Sequence, residues 1–252
     1  MHKFTRIFLG SLVATISSAS AAVYSPIAIE AGYFDRDVIH GSGTAIGAAG
    51  ATSNFGFTNA VLYENGIAAQ GGGTLSGGLA SDGALSVLDG ADTYNFQFAP
   101  DGAANVRVHH GGARIGTMTL STAGQYTSLS LLGHSNAAAS VLNYTVNYDS
   151  GAADTGSFSF GLYTATSGPG LVATPFRSNS GNTWNGTATT TGVGLYHRDI
   201  AVDSSRNVTS VTLEWLGNNS GVYALSGVMV PEPSVALLGI FGGLALILRR
   251  QR

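Results

Sequence analysis

The stretch LNYTVNYDSGAADTGSFSF, Leu142 to Phe160, decides the fold class. Leu142, Tyr144, Val146 and Tyr148 alternate with Asn143, Thr145 and Asn147, and Phe158 and Phe160 follow at the same spacing. Successive side chains of an extended chain point to opposite faces, so this period of two puts one face on a core and the other in water. Between the runs, Asp149-Ser150-Gly151 and Asp154-Thr155-Gly156 carry turn residues. The expectation is a pair of antiparallel strands, each half-buried.

The same period continues on both sides. Val211, Leu213 and Trp215 alternate with Thr212 and Glu214, a register that makes Trp215 a core residue. Upstream, Tyr94, Phe96 and Phe98 alternate with Asn95 and Gln97, Val106 and Val108 flank Arg107, and Leu129 and Leu131 flank Ser130. From Ala22 to about Gly90 the chain is rich in Gly, Ala, Ser and Thr, interrupted by YSPIAI, FGFTNAVLY and ALSVL, which read as short strands. No window between Ala22 and Val230 sustains a helical period with caps. The expected fold is all-β: an antiparallel β-sandwich or jelly roll of about eight to ten strands, spanning 22–229 as one domain. An apolar content of 44% supplies the core such a domain needs.

The two ends differ from this middle. Lys3 and Arg6 precede a mostly apolar run from Ile7 to Ile16, and Ala19-Ser20-Ala21 offers small residues at alternate positions. Residues 1–21 are therefore expected to be a secretory signal-peptide helix, with Ala19 and Ala21 defining the cleavage site. At the other end, VPEPSVALLGIFGGLALILRRQR runs from Val230 to Arg252. Val235 to Leu248 carries no polar side chain. As a helix it is shorter than the roughly 30 Å hydrocarbon core. Being apolar on every face and closed by Arg249, Arg250 and Arg252, it reads as one short transmembrane helix with its basic end inside and the β-domain outside. Gly239 and Gly243 form a small-residue pair on it.

Without both ends, six arginines face thirteen acidic residues between Ala22 and Val230, a formal charge of −7 with no lysine. Nucleic acid is a poor partner for that surface, which lacks the clustered cations that phosphate binding needs. Cysteine is absent, which removes disulfides, thiolate metal sites and Cys nucleophiles.

Several groups invite a chemical reading. Gly133-His134-Ser135-Asn136-Ala137 imitates a nucleophile elbow, His109-His110-Gly111-Gly112 an oxyanion loop, and Asp149 or Asp154 with His197 would complete a triad. An elbow needs a helix after the strand, and this composition supplies none. Adjacent histidines on a strand face opposite ways, so His109-His110 does not chelate one ion, and no transition-metal site is expected. No cofactor is expected; Asp149 and Asp154 read as turn aspartates, with oxygen ligands for calcium as the alternative. Trp184, in the polar SNSGNTWNGT, has no apolar register and is a candidate platform for stacking on a sugar ring.

Pro231-Glu232-Pro233, then the short Gly- and Leu-rich span, then terminal arginines resembles the PEP-CTERM sorting signal of Gram-negative, biofilm-forming bacteria. The tripartite signal occupies 230–252: the motif at 230–234, the helix at 235–248 and the basic tail at 249–252. The resemblance implies processing by exosortase after signal peptidase, and delivery from the inner membrane to the cell surface or extracellular polysaccharide. The middle of the chain, TSLSLLGHSNAA, NYTVNYDSGAADTGSFSF and DIAVDSSRNVTSVTLEWLGNNSGVYALS, is similar to galactose-binding-like jelly-roll modules, which implies a structural or carbohydrate-associated role. The expected protein is thus exported and non-catalytic, with polysaccharide as a partner. The alternative is a secreted polysaccharide-active hydrolase on the same scaffold, which requires two facing carboxylates.

Overall fold

The computed structural model describes residues 21–40, 60–66, 78–99, 103–112, 114–136, 140–165, 168–173, 177–179 and 194–231. These residues form fifteen β-strands and no helix. The described residues are all-β, and their curled sheets are consistent with a β-sandwich. The expected leader up to Ser20, Trp184, Glu232, Pro233, the expected helix at 235–248 with Gly239 and Gly243, and Arg249, Arg250 and Arg252 lie outside the described residues.

The large sheet runs β11 (Leu171–Ala173), β13 (Leu195–Ala201), β8 (Tyr126–Ser135), β15 (Ser220–Met229), β1 (Val23–Pro26), β5 (Asp92–Gln97) and β4 (Ala84–Asp89). One side of β15 is shared, Ser220–Val222 pairing with β6 (Arg107–His109) and Ser226–Gly227 with β1. A four-stranded sheet runs β10 (Asp154–Ser159), β9 (Val141–Tyr148), β14 (Val208–Trp215) and β7 (Ile115–Gly124). A small third sheet joins β12 (Arg177–Asn179), β3 (Ala60–Tyr63) and β2 (Ile39–His40). Among the described strands, pairing with one another is antiparallel except for β1 with β5 and β2 with β3.

The four-stranded sheet covers one face of the large sheet. Its inward Met118, Leu142, Val146, Val211 and Leu213 meet Leu129, Leu131, Tyr196, Ile200 and Leu225 in one buried cluster. A second cluster occupies the opposite face, where Leu132, Leu195 and Ala224 pack with Tyr24, Tyr94, Phe96 and Phe98 and with Ile39 and Leu62 of the small sheet. Neighbouring residues thus enter different cores: Leu131 and Leu132 on β8, Tyr196 and Leu195 on β13, Leu225 and Ala224 on β15. These central strands are buried on both faces. Ser130, expected to face water between Leu129 and Leu131, is 0% exposed.

Strand β9 follows the expected period, with Leu142 and Val146 fully buried. The turn before β10 is shorter than the sequence reads, because Asp154-Thr155-Gly156 already belongs to the strand. Gly156 sits directly opposite Tyr144, and a Cβ there would come 2.4 Å from the Tyr144 hydroxyl. The glycine is a berth for the ring across the strand rather than a turn residue. Gly151, at φ 77, makes the actual bend. Trp215 keeps the register of Leu213 but is the last residue of β14, and it is half-buried instead of being a core residue. Its indole N–H donates to the Asn218 carbonyl at 2.6 Å.

Candidate functional site

The large sheet curls until its terminal strands approach each other, and a polar cluster spans the closure. His197 on β13 and Asp199 two residues later share a strand face. The imidazole Nδ1 lies 3.1 Å from Asp199 Oδ1, and Nε2 lies 2.9 Å from Asp89 Oδ2 at the end of β4. Gly90, at φ 64, forms the tight turn between Asp89 and its cross-strand partner Asp92, and so projects Asp89 toward β13. Asp199 also accepts hydrogen bonds from Ser130 Oγ at 2.6 Å, Tyr94 Oη at 2.8 Å and Tyr24 Oη at 3.1 Å. The Tyr94 ring stacks on His197 at 3.9 Å between centroids and on Tyr24 at 4.3 Å.

Burial alone pushes the His197 imidazole down, but Asp199 and Asp89 together outweigh it and hold the group above its ordinary range. Asp199 answers in the opposite sense. Burial raises its carboxyl, yet the bonds from His197, Ser130 and Tyr94 outweigh this and hold it below the usual carboxylate range. The result is an imidazole whose charged form is favoured by two carboxylates, an electrostatic clasp across the curled sheet. The side chains of Asp89 and Asp199 remain 48% and 36% exposed, so the clasp meets solvent at its rim.

Asp149 and Asp154 flank the β9–β10 turn, and both carboxylates have protein donors. Asp149 Oδ2 accepts from the Asn207 amide at 2.8 Å. Asp154 accepts the Tyr148 hydroxyl and faces the Arg206 guanidinium at 3.6 Å. Arg206 lies 3.7 Å over the Tyr148 ring, donates to Asp203 at 2.7 Å and donates to the Ala152 carbonyl at 2.5 Å. The Ser205 hydroxyl and amide and the Arg206 guanidinium hold the Asp203 carboxyl down at about 2. This knot ties the hairpin to the loop between β13 and β14. Among the described residues no group of three or more His, Asp or Glu side chains is arranged to hold a metal ion.

The triad-like residues do not assemble. Ser135 is the fully buried last residue of β8, and its amide and carbonyl pair with the Gly161 carbonyl and the Tyr163 amide. The Tyr223 hydroxyl meets His134 at 3.1 Å and the Tyr33 hydroxyl meets His109 at 3.0 Å, both imidazoles lying inside the protein. His197 turns to Asp89 and Asp199 rather than to Asp149 or Asp154. At the C-terminal edge, Val230 still donates to the Gln125 carbonyl at 3.0 Å and Pro231 is exposed, so the first Pro of the tail leaves directly from β15.

The outer face of the four-stranded sheet is a polar array. One row crosses all four strands as Thr117, Thr212, Thr145 and Thr155. A second row reads Ile115, Glu214, Asn143 and Ser157, and a third Thr119, Ser210 and Asn147. Thr117 and Thr212 share a hydrogen bond of 2.9 Å, and the Asn147 amide reaches Ser210 at 3.0 Å. Strand spacing sets the rows about 4.8 Å apart across the sheet and about 7 Å apart along it. No protein-family model matches this chain, and no curated protein matches it.

Proposed function

We propose that this is an exported, non-catalytic protein of the cell surface or extracellular matrix, and that the polar face of its four-stranded sheet associates with polysaccharide. The Thr117–Thr212–Thr145–Thr155 row and its Asn and Ser neighbours carry the reading. Each hydroxyl both donates and accepts, as sugar hydroxyls do, and the side chains are held on a rigid sheet with little left to order on binding. The signal-like N-terminus and the Pro231-Glu232-Pro233 tail support the route: signal peptidase first, a membrane-held precursor next, then exosortase and the surface.

The rival reading, a polysaccharide hydrolase, needs one carboxyl kept protonated opposite a second carboxylate. Asp199 is held in the reverse sense and, like Asp89, is engaged by His197. That favours the non-catalytic reading.

Co-sedimentation with extracellular polysaccharide from the source tests association. Thr145→Arg and Thr212→Arg, which place bulk in the middle of the row, are expected to lower the bound fraction at least about tenfold, a discrimination of roughly 1.4 kcal/mol. Unchanged binding refutes the face. Release of reducing sugar by the protein, abolished by Asp89→Asn or Asp199→Asn, refutes the non-catalytic reading. Replacing Pro231, Glu232 and Pro233 with Ala is expected to leave the precursor uncleaved in the membrane, and normal processing removes the sorting reading.

A further inference from the structure

The backbone N–H of Ala22 points at a carboxylate. It donates to Asp92 Oδ1 at 2.8 Å, while the Ala22 carbonyl accepts from the Thr93 amide at 2.9 Å. Residue 22 is therefore fixed from both sides at the start of the parallel β1–β5 ladder, where Val23 pairs with Thr93. Ala21 is exposed, so the Ala21–Ala22 peptide bond lies at the surface where the fold begins.

We infer that Asp92 is a binding site for the α-ammonium of the processed chain, formed when the leader is cut between Ala21 and Ala22. The inference rests on the export reading for the cut itself. In that step water adds across the peptide bond, Ala21 leaves with a carboxylate, and the Ala22 nitrogen takes up a proton to become the ammonium. A single neutral donor is replaced by a cation with three, at hydrogen-bond distance from a carboxylate that already faces it. A charge-assisted bond of this kind is stronger than the amide bond it succeeds.

Asp92 is the first residue of β5 and closes the Gly90 turn opposite Asp89, the residue that clasps His197. The new terminus would hold the same turn that closes the curled sheet, so that cutting the leader tightens the closure. The titratable groups on the strands packed here are Asp92, Asp89, Tyr24, Tyr94, His197 and Asp199, which places carboxylates on both sides of the turn.

The composition makes the test unusually clean. Lys3 is the sole lysine of the sequence, so a chain starting at Ala22 has one primary amine. Reductive methylation with ¹³C-formaldehyde then labels that amine alone, and its resonance is followed from pH 6 to 11. The methylated ammonium keeps its charge and one N–H toward Asp92, and the expected result is a pKa about one unit above the value the same labelled amine shows in urea and in Asp92→Asn. The sign follows: the pairing is complete below the unfolded pKa and is lost as pH rises through the folded one. Between those limits the unfolding constant of the Ala22 chain, relative to its N-acetylated form, changes about tenfold.

An amine that titrates in the folded protein as it does in urea, or a shift that survives Asp92→Asn, refutes the pairing and leaves the cut standing. Should Asp92→Asn fail to fold, the comparison of folded and urea-unfolded wild-type protein decides alone. Mass spectrometry showing a natural N-terminus other than Ala22 refutes the cleavage reading, and with it the role inferred for Asp92.

Discussion

Acid should destabilise this protein through two buried histidines that take no part in the clasp. His109 and His134 are both 0% exposed, so solvent screening gives no relief. Burial, with the Arg107 cation beside it, pushes His109 down to about 4, and burial alone pushes His134 down to about 3. Both are neutral in the folded state at pH 5, whereas an unfolded histidine, with a pKa of about 6.5, is almost fully protonated there. A depressed pKa contributes stability above the unfolded value and loses it as pH falls. From pH 7 to pH 5 linkage gives a loss of about 2 kcal/mol per histidine, about 4 kcal/mol together. The figure is insensitive to the folded values once both lie below about 4, because the unfolded chain sets the slope. His197 works in reverse. Its raised pKa adds stability below about 6.5 and offsets part of the loss. Against a total of 5–15 kcal/mol the net change is large.

The assay is urea unfolding at pH 7 and pH 5, followed by tyrosine and tryptophan fluorescence. With a slope of about 2 kcal/mol per molar urea, the midpoint should fall by about 1–2 M. His109→Gln with His134→Gln should lower stability at pH 7 but flatten the pH dependence. A midpoint that holds between pH 7 and 5, or a double variant with the wild-type drop, refutes the reasoning.

Three other outcomes follow from the packing. Leu131→Ala and Leu132→Ala should each cost about 2–5 kcal/mol in thermal or urea unfolding, since both are 0% exposed in different cores; a sheet wet on one face would spare one of them. Gly133→Ala should cost about 1–3 kcal/mol, because the added Cβ would lie 2.4 Å from the Phe160 ring and 2.5 Å from the Gly221 carbonyl, and an unchanged melting temperature contradicts the packing. Arg206→Ala should speed amide exchange in residues 149–154 at least about tenfold while leaving both cores protected, so exchange unchanged at the hairpin would mean that the Arg206–Tyr148–Asp154 knot holds nothing.

The sequence was most legible where a strand has one wet face. β9 and β14 belong to an outer layer, so Leu142, Val146, Val211 and Leu213 alternate with Thr and Asn and their period survives intact. The central strands hide theirs. Leu131 and Leu132 are adjacent because β8 feeds two cores, and the buried Ser130 passes for a surface residue because its partner, Asp199, comes from another strand. The same holds for the clasp. His197 and Asp199 are two residues apart and readable as one strand face, but Asp89 is 108 residues from His197 and arrives only because the sheet curls. Gly156 reads as a turn residue in the sequence because glycine alone does not distinguish a bend from a berth for Tyr144. Register places Trp215 on the core face of β14 but does not reveal that the strand's last residue is only half-covered.

Strand β15 is the last of the described strands and stands in the middle of the large sheet, between β8 on one side and β6 and β1 on the other. Val222 and Leu225 enter one core, and Tyr223 and Ala224 the other. A chain threaded N-terminus first through a narrow pore cannot complete either core until residue 229 has cleared it. Until then β1 lacks its antiparallel partner and β8 one of its neighbours, and pairings this distant in sequence form slowly in any case. On the export route proposed above, this order of strands would delay the closing of both cores until β15 had emerged, a timer written into the topology.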